Sequence, residues 1–217
     1  MRLAIFDLDH TLLTADSDFL WGQFLCQQGV VDADAYAREN LRFYQEYQAG
    51  TLDIEAFCAF SFKPLTEHPR ARLEAWRAAF LADKIEAVIA PGALPLIRQH
   101  KAAGDYTLIM TATNSFITQP IAERLGVDAL IATDPEEVDG RFTGRLKGVP
   151  NFQYGKVTRL GQWRDDQPHT FDHVTFYSDS RNDLPLLKAA DTAIAIDPDP
   201  VLKAEAEQRG WPIHSLR

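Results

Sequence analysis

The feature that most constrains this chain is a short apolar segment that ends in two closely spaced carboxylates. Leu3–Phe6 is followed at once by Asp7-Leu8-Asp9-His10-Thr11. Such a short apolar run predicts a buried parallel strand with the acidic pair at its C-terminal end. Two carboxylates on one face of a strand would repel each other, so we expect the chain to leave the strand here and a divalent cation to offset the repulsion.

Strand and helix signals alternate through most of the remaining chain. Four later apolar runs are like the first, and amphipathic stretches separate them. This alternation predicts an α/β fold with a mostly parallel sheet, whose ligands gather at the carboxyl ends of the strands. The expected strands are Leu3–Phe6, Tyr106–Met110, Ala129–Ala132, Val174–Tyr177 and Ala193–Ile196, and the expected helices are Ala93–Ala103, Thr118–Leu125, Lys156–Trp163 and Leu184–Ala190.

The segment from about residue 18 to residue 88 has almost no strand signal. It is rich in Ala, Leu, Glu and Arg at amphipathic spacing, and Gly50, Pro64 and Pro69 punctuate it. We expect four helices inserted after the first strand; the alternative is that they simply flank the sheet. These helices are expected at Phe19–Gln28, Ala33–Gln48, Ile54–Phe62 and Arg70–Leu81.

This pattern divides the chain into a core of residues 1–15 and 89–217 and a helical cap of residues 16–88. Asp139-Gly140 suits a tight turn, which predicts a small β-hairpin over residues 136–143. A last short strand is expected within Trp211–Arg217.

Composition excludes several classes of function. The 22 Lys and Arg against 31 Asp and Glu give a net charge of -9, which argues against a nucleic-acid-binding surface but not against a small anionic substrate. Two cysteines, Cys26 and Cys58, form no metal-binding or disulfide pattern. No signal peptide and no stretch of ~20 apolar residues is visible, so we expect a cytoplasmic protein without membrane contact. Oligomeric state has no sequence signal.

A second acidic cluster follows a later expected strand. Val174–Tyr177 leads into Ser178-Asp179-Ser180-Arg181-Asn182-Asp183. Asp179 and Asp183 offer the hard oxygen ligands that Mg²⁺ prefers. Asp183 could equally cap the helix that follows it.

Two further positions suit the binding of a phosphoryl group. Thr111 directly follows the expected strand Tyr106–Met110. Its hydroxyl and the N–H groups after it could hold phosphoryl oxygens. Thr is also an ordinary helix cap. Lys156 lies at a helix start, where a positive charge is unfavourable for the helix itself and so indicates an anionic partner.

Together, and in this order, the motifs DxDxT, Thr111, Lys156 and DSRND resemble those of the haloacid dehalogenase-like hydrolase superfamily, and most closely its phosphoserine-phosphatase-like members with a helical cap. The resemblance spans Asp7 to Asp183. It implies a Rossmann-like core and a Mg²⁺-dependent phosphatase that forms an aspartyl-phosphate intermediate. Ser180 and Arg181 depart from the small residues that often follow the metal-binding aspartate, so local substrate contacts are left open.

The resemblance also implies roles for individual residues. Asp7 is expected to be the nucleophile and Asp9 the general acid and base, with Thr111 and Lys156 on the phosphoryl group. The expected metal ligands are Asp7, the Asp9 carbonyl, Asp179 and, through water, Asp183. The expected substrate-binding residues are Asp16, Ser17, Asp18, Trp21, Ala112, Thr113 and Arg181.

Asp16 and Asp18 could pair with an amine on the substrate, or one of them could cap the following helix. Similar family members include histidinol-phosphate and phosphoserine phosphatases. No carboxylate-binding arginine is evident beside Asp16-Ser17-Asp18, which favours histidinol phosphate. Arg42, Arg70 or Arg181 would favour phosphoserine if helical packing brought one of them into the cleft.

Other reactions remain as alternatives. A dehalogenase needs no acid at Asp9, and a phosphonatase would need a cap lysine, for which Lys63 and Lys84 lie in no recognisable motif. A phosphomutase would use the same aspartates. A receiver-like signalling module also combines Asp, Mg²⁺, Thr and Lys, but it has no cap and is usually shorter.

Overall fold

The computed structural model describes residues 1–217, and eight strands form its β-structure. These are β1 (Arg2–Phe6), β2 (Tyr106–Asn114), β3 (Ala129–Thr133), β4 (Pro135–Val138), β5 (Arg141–Leu146), β6 (His173–Ser178), β7 (Thr192–Ile196) and β8 (Ile213–His214). Six of them make one sheet in the order β3-β2-β1-β6-β7-β8, with every neighbouring pair parallel, and β4 and β5 form a separate antiparallel hairpin.

Nine α-helices surround this sheet. Four of them form the cap inserted after β1: α1 (Ser17–Gln27), α2 (Ala33–Ala49), α3 (Ile54–Glu67) and α4 (Arg70–Phe80). The other five are α5 (Ala93–Ala102), α6 (Ser115–Leu125), α7 (Tyr154–Asp165), α8 (Leu184–Ala189) and α9 (Pro200–Arg209). No helix has the length and hydropathy needed to cross a membrane.

Strand β1 is buried on both faces, which explains its continuous apolar sequence. Leu3 and Ile5 belong to one hydrophobic core, and Ala4 and Phe6 belong to the other. A strand covered on both sides has no solvent face and therefore no alternation of polar and apolar residues. Because Phe6 is paired with Ile109 in β2 and Tyr177 in β6, the polar residues that follow these three strands meet at one edge.

The chain enters and leaves the four-helix segment at one place. Leu13 and Ile89 form an isolated antiparallel bridge. The main-chain N–H of Thr14 donates to the carbonyl of Val88 at 2.7 Å, and that of Ala90 donates to Leu12 at 2.9 Å. The two connecting segments are therefore held side by side.

The β4–β5 hairpin packs on the cap rather than on the sheet. Arg70, at the start of α4, forms an ion pair with Glu137 of the hairpin at 2.8 Å. Its guanidinium also lies 4.9 Å from the centre of the Phe142 ring. Gly144 approaches Thr66 of α3 so closely that an added Cβ would lie 3.1 Å from the Thr66 methyl group. The hairpin thus ties α3 and α4 to the core.

The sequence predicted this α/β architecture and its helical cap correctly, with three differences in detail. Strand β2 continues to Asn114, which pairs with Thr133 of β3 beyond an irregularity that follows Met110. Pro64 does not end a helix but lies inside α3, where it leaves one carbonyl of the preceding turn without its N–H partner. Helix α9 was not expected; Asp199 caps it by accepting from the N–H groups of Val201 and Leu202, both at 2.8 Å.

Candidate active site

The two carboxylates after β1 point in different directions. Residues Leu8–Leu12 form one irregular turn, in which Asp9 is extended and His10 has a φ of 59°. A left-handed conformation is uncommon for a residue other than glycine. The turn carries Asp9 away from Asp7, so each carboxylate has its own set of partners and the pair does not share one buried face.

Asp7 lies against Lys156 in the interior. The Lys156 ammonium is 2.8 Å from Oδ1 of Asp7 and 2.7 Å from Oδ1 of Asp183. Asp7, Lys156 and Asp183 are each no more than 3% exposed. Burial alone would lower the pKa of Lys156, but the two carboxylates outweigh it and raise that pKa above its usual range. The sequence-based expectation of an anionic partner for Lys156 is therefore matched by two carboxylates.

Thr11 joins Asp7 to Asp179 across the site. Its hydroxyl lies 3.1 Å from Oδ1 of Asp179 and 3.5 Å from Oδ2 of Asp7, and it accepts the N–H of Asp179 at 3.1 Å. Asp183 also accepts the Ser178 hydroxyl at 2.7 Å. Asp7, Asp179 and Asp183 thus face a common region at the ends of β1 and β6.

Burial and mutual repulsion raise the pKa values of these carboxyl groups. Burial is the main cause of the rise in the pKa of Asp7 to about 7, with Lys156 opposing it and Asp183 and Asp9 adding to it. The pKa of Asp179 is raised well above its usual value by burial, then by Asp7 and Asp183. One lysine does not balance the negative charge gathered here.

Asp9 is held by three donors on the other side of the turn. Its Oδ1 accepts the main-chain N–H of Ser17 at 2.6 Å. Its Oδ2 accepts the hydroxyl of Thr113 at 2.8 Å and that of Thr111 at 3.2 Å. Asp9 therefore links the start of α1 to the end of β2, and Thr111 contacts this carboxylate directly.

A cleft of about 510 Å³, including its open mouth, leads from these carboxylates into the cap. Asp16, Asp18, Ala112 and Thr113 line it, as do Asn40 and aromatic residues of α1, α2 and α3. Asp16 caps α1 by accepting the N–H of Phe19 at 2.7 Å. Asp16 is therefore both the N-cap of α1 and a residue of the cleft wall.

Asp18 lies deeper in the same wall. It is 9% exposed, and its Oδ1 accepts the Ser61 hydroxyl at 3.3 Å. Burial, followed by repulsion from Asp9, raises the pKa of Asp18 to about 7. Neither Lys, Arg nor His lines the cleft.

Trp21 and Arg181, two of the expected substrate-binding residues, do not line the cleft, and these predictions are corrected. Trp21 is 1% exposed in the hydrophobic core, where its ring packs against Phe24 and Phe80. Arg181 packs on Gly50 at the end of α2, where an added Cβ would lie 3.0 Å from its Nε. A third, Ser17, is fully buried, and its Oγ has no hydrogen-bond partner.

The structure adds cap residues that sequence reasoning missed. Tyr47 of α2 lines the cleft, and its hydroxyl lies 3.5 Å from the Ser180 hydroxyl. Its main-chain carbonyl accepts the side-chain amide of Asn182 at 2.9 Å. Asn40 and Tyr44 also line the cleft from α2. Only the amphipathic spacing of α2 could have suggested an inward face, and it does not say which inward residues reach the cleft.

The carboxylates are not arranged as a closed metal-binding shell. No group of three Asp, Glu, His or Cys side chains converges on one point in the way that metal ligands do. Lys156 lies between Asp7 and Asp183, whereas Asp179 reaches Asp7 through Thr11.

The fold and this constellation define an enzyme with a Rossmann-like core, a helical cap and an aspartate at the end of the first strand. A family model described as haloacid dehalogenase-like hydrolase matches residues 4–188, and the chain belongs to that family. It is 42% identical to a histidinol-phosphatase of Neisseria meningitidis over 100% of this chain and 99% of the relative. It is 30% identical to phosphoserine phosphatase SerB1 of Mycobacterium tuberculosis over 99% of this chain and 70% of the relative.

A solved structure of 44% sequence identity also matches this chain. It is a protein of unknown function from Bordetella pertussis, with a TM-score of 0.94 and coverage of 100% of this chain and 99% of that one. The relatives place the chain among the phosphatases of its family.

Proposed function

We propose that this chain is a cytoplasmic, magnesium-dependent phosphomonoesterase whose substrate is a small amine-bearing phosphate ester, with histidinol phosphate as the best candidate. The observation that carries the substrate assignment is the cleft beside Asp7. Besides Asp7 and Asp9, two further acidic residues, Asp16 and Asp18, line it, and no basic residue does.

The proposed reaction has two steps. Asp7 attacks phosphorus, a bond forms between its carboxylate oxygen and phosphorus, and the bond to the ester oxygen breaks. Asp9 gives its proton to the departing alkoxide. Asp9 then takes a proton from a water molecule as that water attacks the aspartyl-phosphate, which frees inorganic phosphate and restores Asp7.

The partners of Asp9 support its part in both steps. The N–H of Ser17 and the hydroxyl of Thr113 hold its two oxygens at 2.6 and 2.8 Å, which fixes the carboxyl group at the mouth of the cleft. Because these donors come from α1 and β2, Asp9 is positioned between the cap and the sheet. A leaving group that occupies the cleft would therefore reach its proton donor there.

The donors present fit Mg²⁺ by their chemistry. Asp7, Asp179 and Asp183 supply hard oxygen ligands, and the raised pKa values of Asp7 and Asp179 come from burial and like charges that a cation would offset. Asp7, Asp179 and the Asp9 carbonyl would hold the ion, with Asp183 assisting through water. When bound, the ion would supply positive charge to the phosphoryl oxygens, as would Lys156, and the Thr111 hydroxyl would offer them a hydrogen bond.

The cleft favours a leaving group that carries an amine and no carboxylate. An ammonium group would meet Asp16 and Asp18, whereas a carboxylate would enter an acidic region without a counter-charge. Burying an unpaired charge is strongly unfavourable. This favours histidinol phosphate over phosphoserine.

None of the three arginines that could have reversed this preference lines the cleft. Arg42 forms ion pairs with Glu39 and Glu46 on the outer face of α2. Arg70 pairs with neighbours in α4 and the hairpin, and Arg181 packs on Gly50. Phosphoserine remains the second candidate because of the relative that bears that name.

The decisive variant is Asp7→Asn, assayed for phosphate release from histidinol phosphate, phosphoserine and p-nitrophenyl phosphate. We expect at least a thousandfold loss of turnover with all three esters and an unchanged circular dichroism spectrum. Asp166→Asn, on the exposed end of α7, is the matched control and should retain wild-type rates.

Near-wild-type turnover by Asp7→Asn would refute the nucleophile. One equivalent of phosphate without further turnover by the wild type would favour a signalling module instead. Equal kcat/KM for amine-bearing and neutral esters would contradict the substrate assignment but not the phosphatase chemistry.

A further inference from the structure

We propose that Asn40 is a specificity-determining residue, which accepts a hydrogen bond from a ring N–H at the end of the leaving group farthest from the phosphate. This inference rests on the proposed function and extends it. The substrate would then be an amino-alcohol phosphate that carries a nitrogen heterocycle with an N–H, of which imidazole is an example.

The orientation of the Asn40 amide is fixed by the protein. Its Nδ2 donates to the main-chain carbonyl of Phe19 at 3.0 Å, so the other end of the amide must be the oxygen. Oδ1 accepts no hydrogen bond from the protein. Asn40 is only 5% exposed and lines the cleft. Oδ1 is not among the side-chain polar atoms closed off from solvent, so it can be reached from the cleft and is free to accept a donor on a ligand bound there.

Gly22 is what allows Asn40 to approach α1. A Cβ added to Gly22 would lie 2.5 Å from Nδ2 of Asn40 and 2.9 Å from its Oδ1. Gly22 lies inside helix α1, where alanine would be the more stabilising residue. Glycine at position 22 is therefore explained by packing, because a larger residue would collide with the side chain of Asn40.

Aromatic side chains line the same cleft as Asn40 and suit a flat ring. Phe19, Phe43 and Tyr44 line the cleft with it. The rings of Phe19 and Tyr44 lie 4.8 Å apart. Such walls favour an aromatic group and leave its in-plane N–H to be read by a polar neighbour.

The cleft thus carries two kinds of acceptor. Asp16 and Asp18 are acidic and suit an ammonium group, whereas Asn40 is a neutral amide beside aromatic rings and suits an uncharged N–H. A leaving group with an amine but no ring would use the first kind alone. Asn40 should therefore separate ring-bearing substrates from simple amino-alcohol phosphates.

The test compares kcat/KM for histidinol phosphate with kcat/KM for phosphoethanolamine, which has the amine and no ring. Asn40→Leu replaces the amide by an apolar group of similar size. We expect the ratio of the two kcat/KM values to fall roughly 5- to 50-fold, mainly through the KM of histidinol phosphate. An unchanged ratio, whether kcat/KM stays the same or falls equally for both esters, would overturn the role of Asn40.

A second variant reaches the same amide without altering it. Gly22→Ala should displace Asn40 and lower the ratio in the same direction. Gly161→Ala in helix α7 is the matched control, because nothing lies within 4 Å of a Cβ added there. It should leave the ratio unchanged, and a fall equal to that of Gly22→Ala would contradict the proposal.

A substrate-side experiment keeps the test independent of folding. Wild-type enzyme should prefer histidinol phosphate to its two analogues that carry one methyl group on either ring nitrogen, and Asn40→Leu should lose that preference. If both proteins discriminate equally, Asn40 does not read the ring. If the wild type hydrolyses p-nitrophenyl phosphate but not histidinol phosphate, the proposed substrate fails; if it hydrolyses neither, the phosphatase function itself fails.

Discussion

Asn182 donates its side-chain amide to the main-chain carbonyl of Tyr47 at 2.9 Å. Tyr47 lies in the last turn of α2, and its carbonyl also accepts the main-chain N–H of Gly50, the residue that ends the helix, at 3.0 Å. Asn182 lies between Arg181 and Asp183 in the short 3₁₀ turn after β6. This hydrogen bond therefore connects the cap to the turn that carries Asp183 in the core.

Removing this bond should loosen the end of α2. For Asn182→Ala we expect about 1 kcal/mol less stability and roughly 3- to 10-fold higher KM for the preferred ester, because α2 also lines the cleft. Hydrogen exchange at residues 43–50 and steady-state kinetics measure the two effects. Gln153→Ala, which removes the 3.3 Å bond to the same side chain but leaves Tyr47 bonded, is the control. Unchanged exchange in α2 would contradict the prediction.

Lys156→Met should destabilise the fold as well as abolish turnover. The variant leaves Asp7 and Asp183 buried without their shared cation, and breaking a buried ion pair costs about 3–5 kcal/mol. Urea unfolding measures the loss. Lys203→Met, at an exposed position of α9, should change stability by less than about 0.5 kcal/mol. A Lys156→Met protein as stable as this control would show that the site is more solvated than its burial indicates.

The stability of the metal-free protein should depend on the protonation of Asp18. Burial raises the pKa of Asp18 from 3.8 to about 7, so the folded protein holds this proton more tightly than the unfolded chain. The stabilisation is complete below pH 4 and is lost as pH rises through 7. Asp18→Asn should remove a decline on the order of 2–4 kcal/mol between pH 4 and pH 8.

Urea unfolding at a series of pH values in chelator, with Asp34→Asn on the exposed face of α2 as control, tests the assignment to Asp18. The control should follow the wild-type curve. If Asp18→Asn does so too, the carboxyl group of Asp18 remains ionised in the folded protein.

Chelation should abolish phosphatase activity, and Mg²⁺ should restore it. The ion should also raise the midpoint of thermal unfolding, because it binds the folded site and offsets the charge of Asp7 and Asp179. Asp179→Asn should lose the Mg²⁺-dependent rise in midpoint, whereas Asp166→Asn should keep it. Full turnover after exhaustive chelation would refute the requirement for a metal.

The sequence predicted the sheet well because its strands are buried on both faces. Leu3–Phe6 is a continuous apolar run for that reason, and the polar residues that follow it must lie at the carboxyl edge. Since parallel strands end at the same edge, the positions of Asp7, Thr111 and Asp179 after three apolar runs suffice to assign them to one place. The parallel sheet and helical cap are confirmed, and the roles of these three residues remain predictions.

Cap residues were harder to predict because helical packing depends on rotation and register. Trp21 is an aromatic residue close to Asp18 in sequence, yet its position on α1 turns it into the core. Asn40 and Tyr47 reach the cleft from α2, but neither belongs to a sequence motif. Arg181 follows Asp179 by two residues, and its side chain is nevertheless directed to Gly50. For the residues on α1 and α2, the rotation of the helix about its own axis decides whether a side chain faces the core or the cleft.

The pairing of Leu13 with Ile89 makes the four helices between them a removable cassette. Both junctions lie side by side, so exchange of this cassette between relatives requires only two cuts a few ångströms apart and leaves the sheet and its carboxylates untouched. A family built on this plan can acquire new substrates by replacing the cassette while inheriting its chemistry unchanged. The contacts of Arg70 with the hairpin and of Tyr47 with Asn182 set further conditions, because a transplanted cassette must also fit these parts of the core.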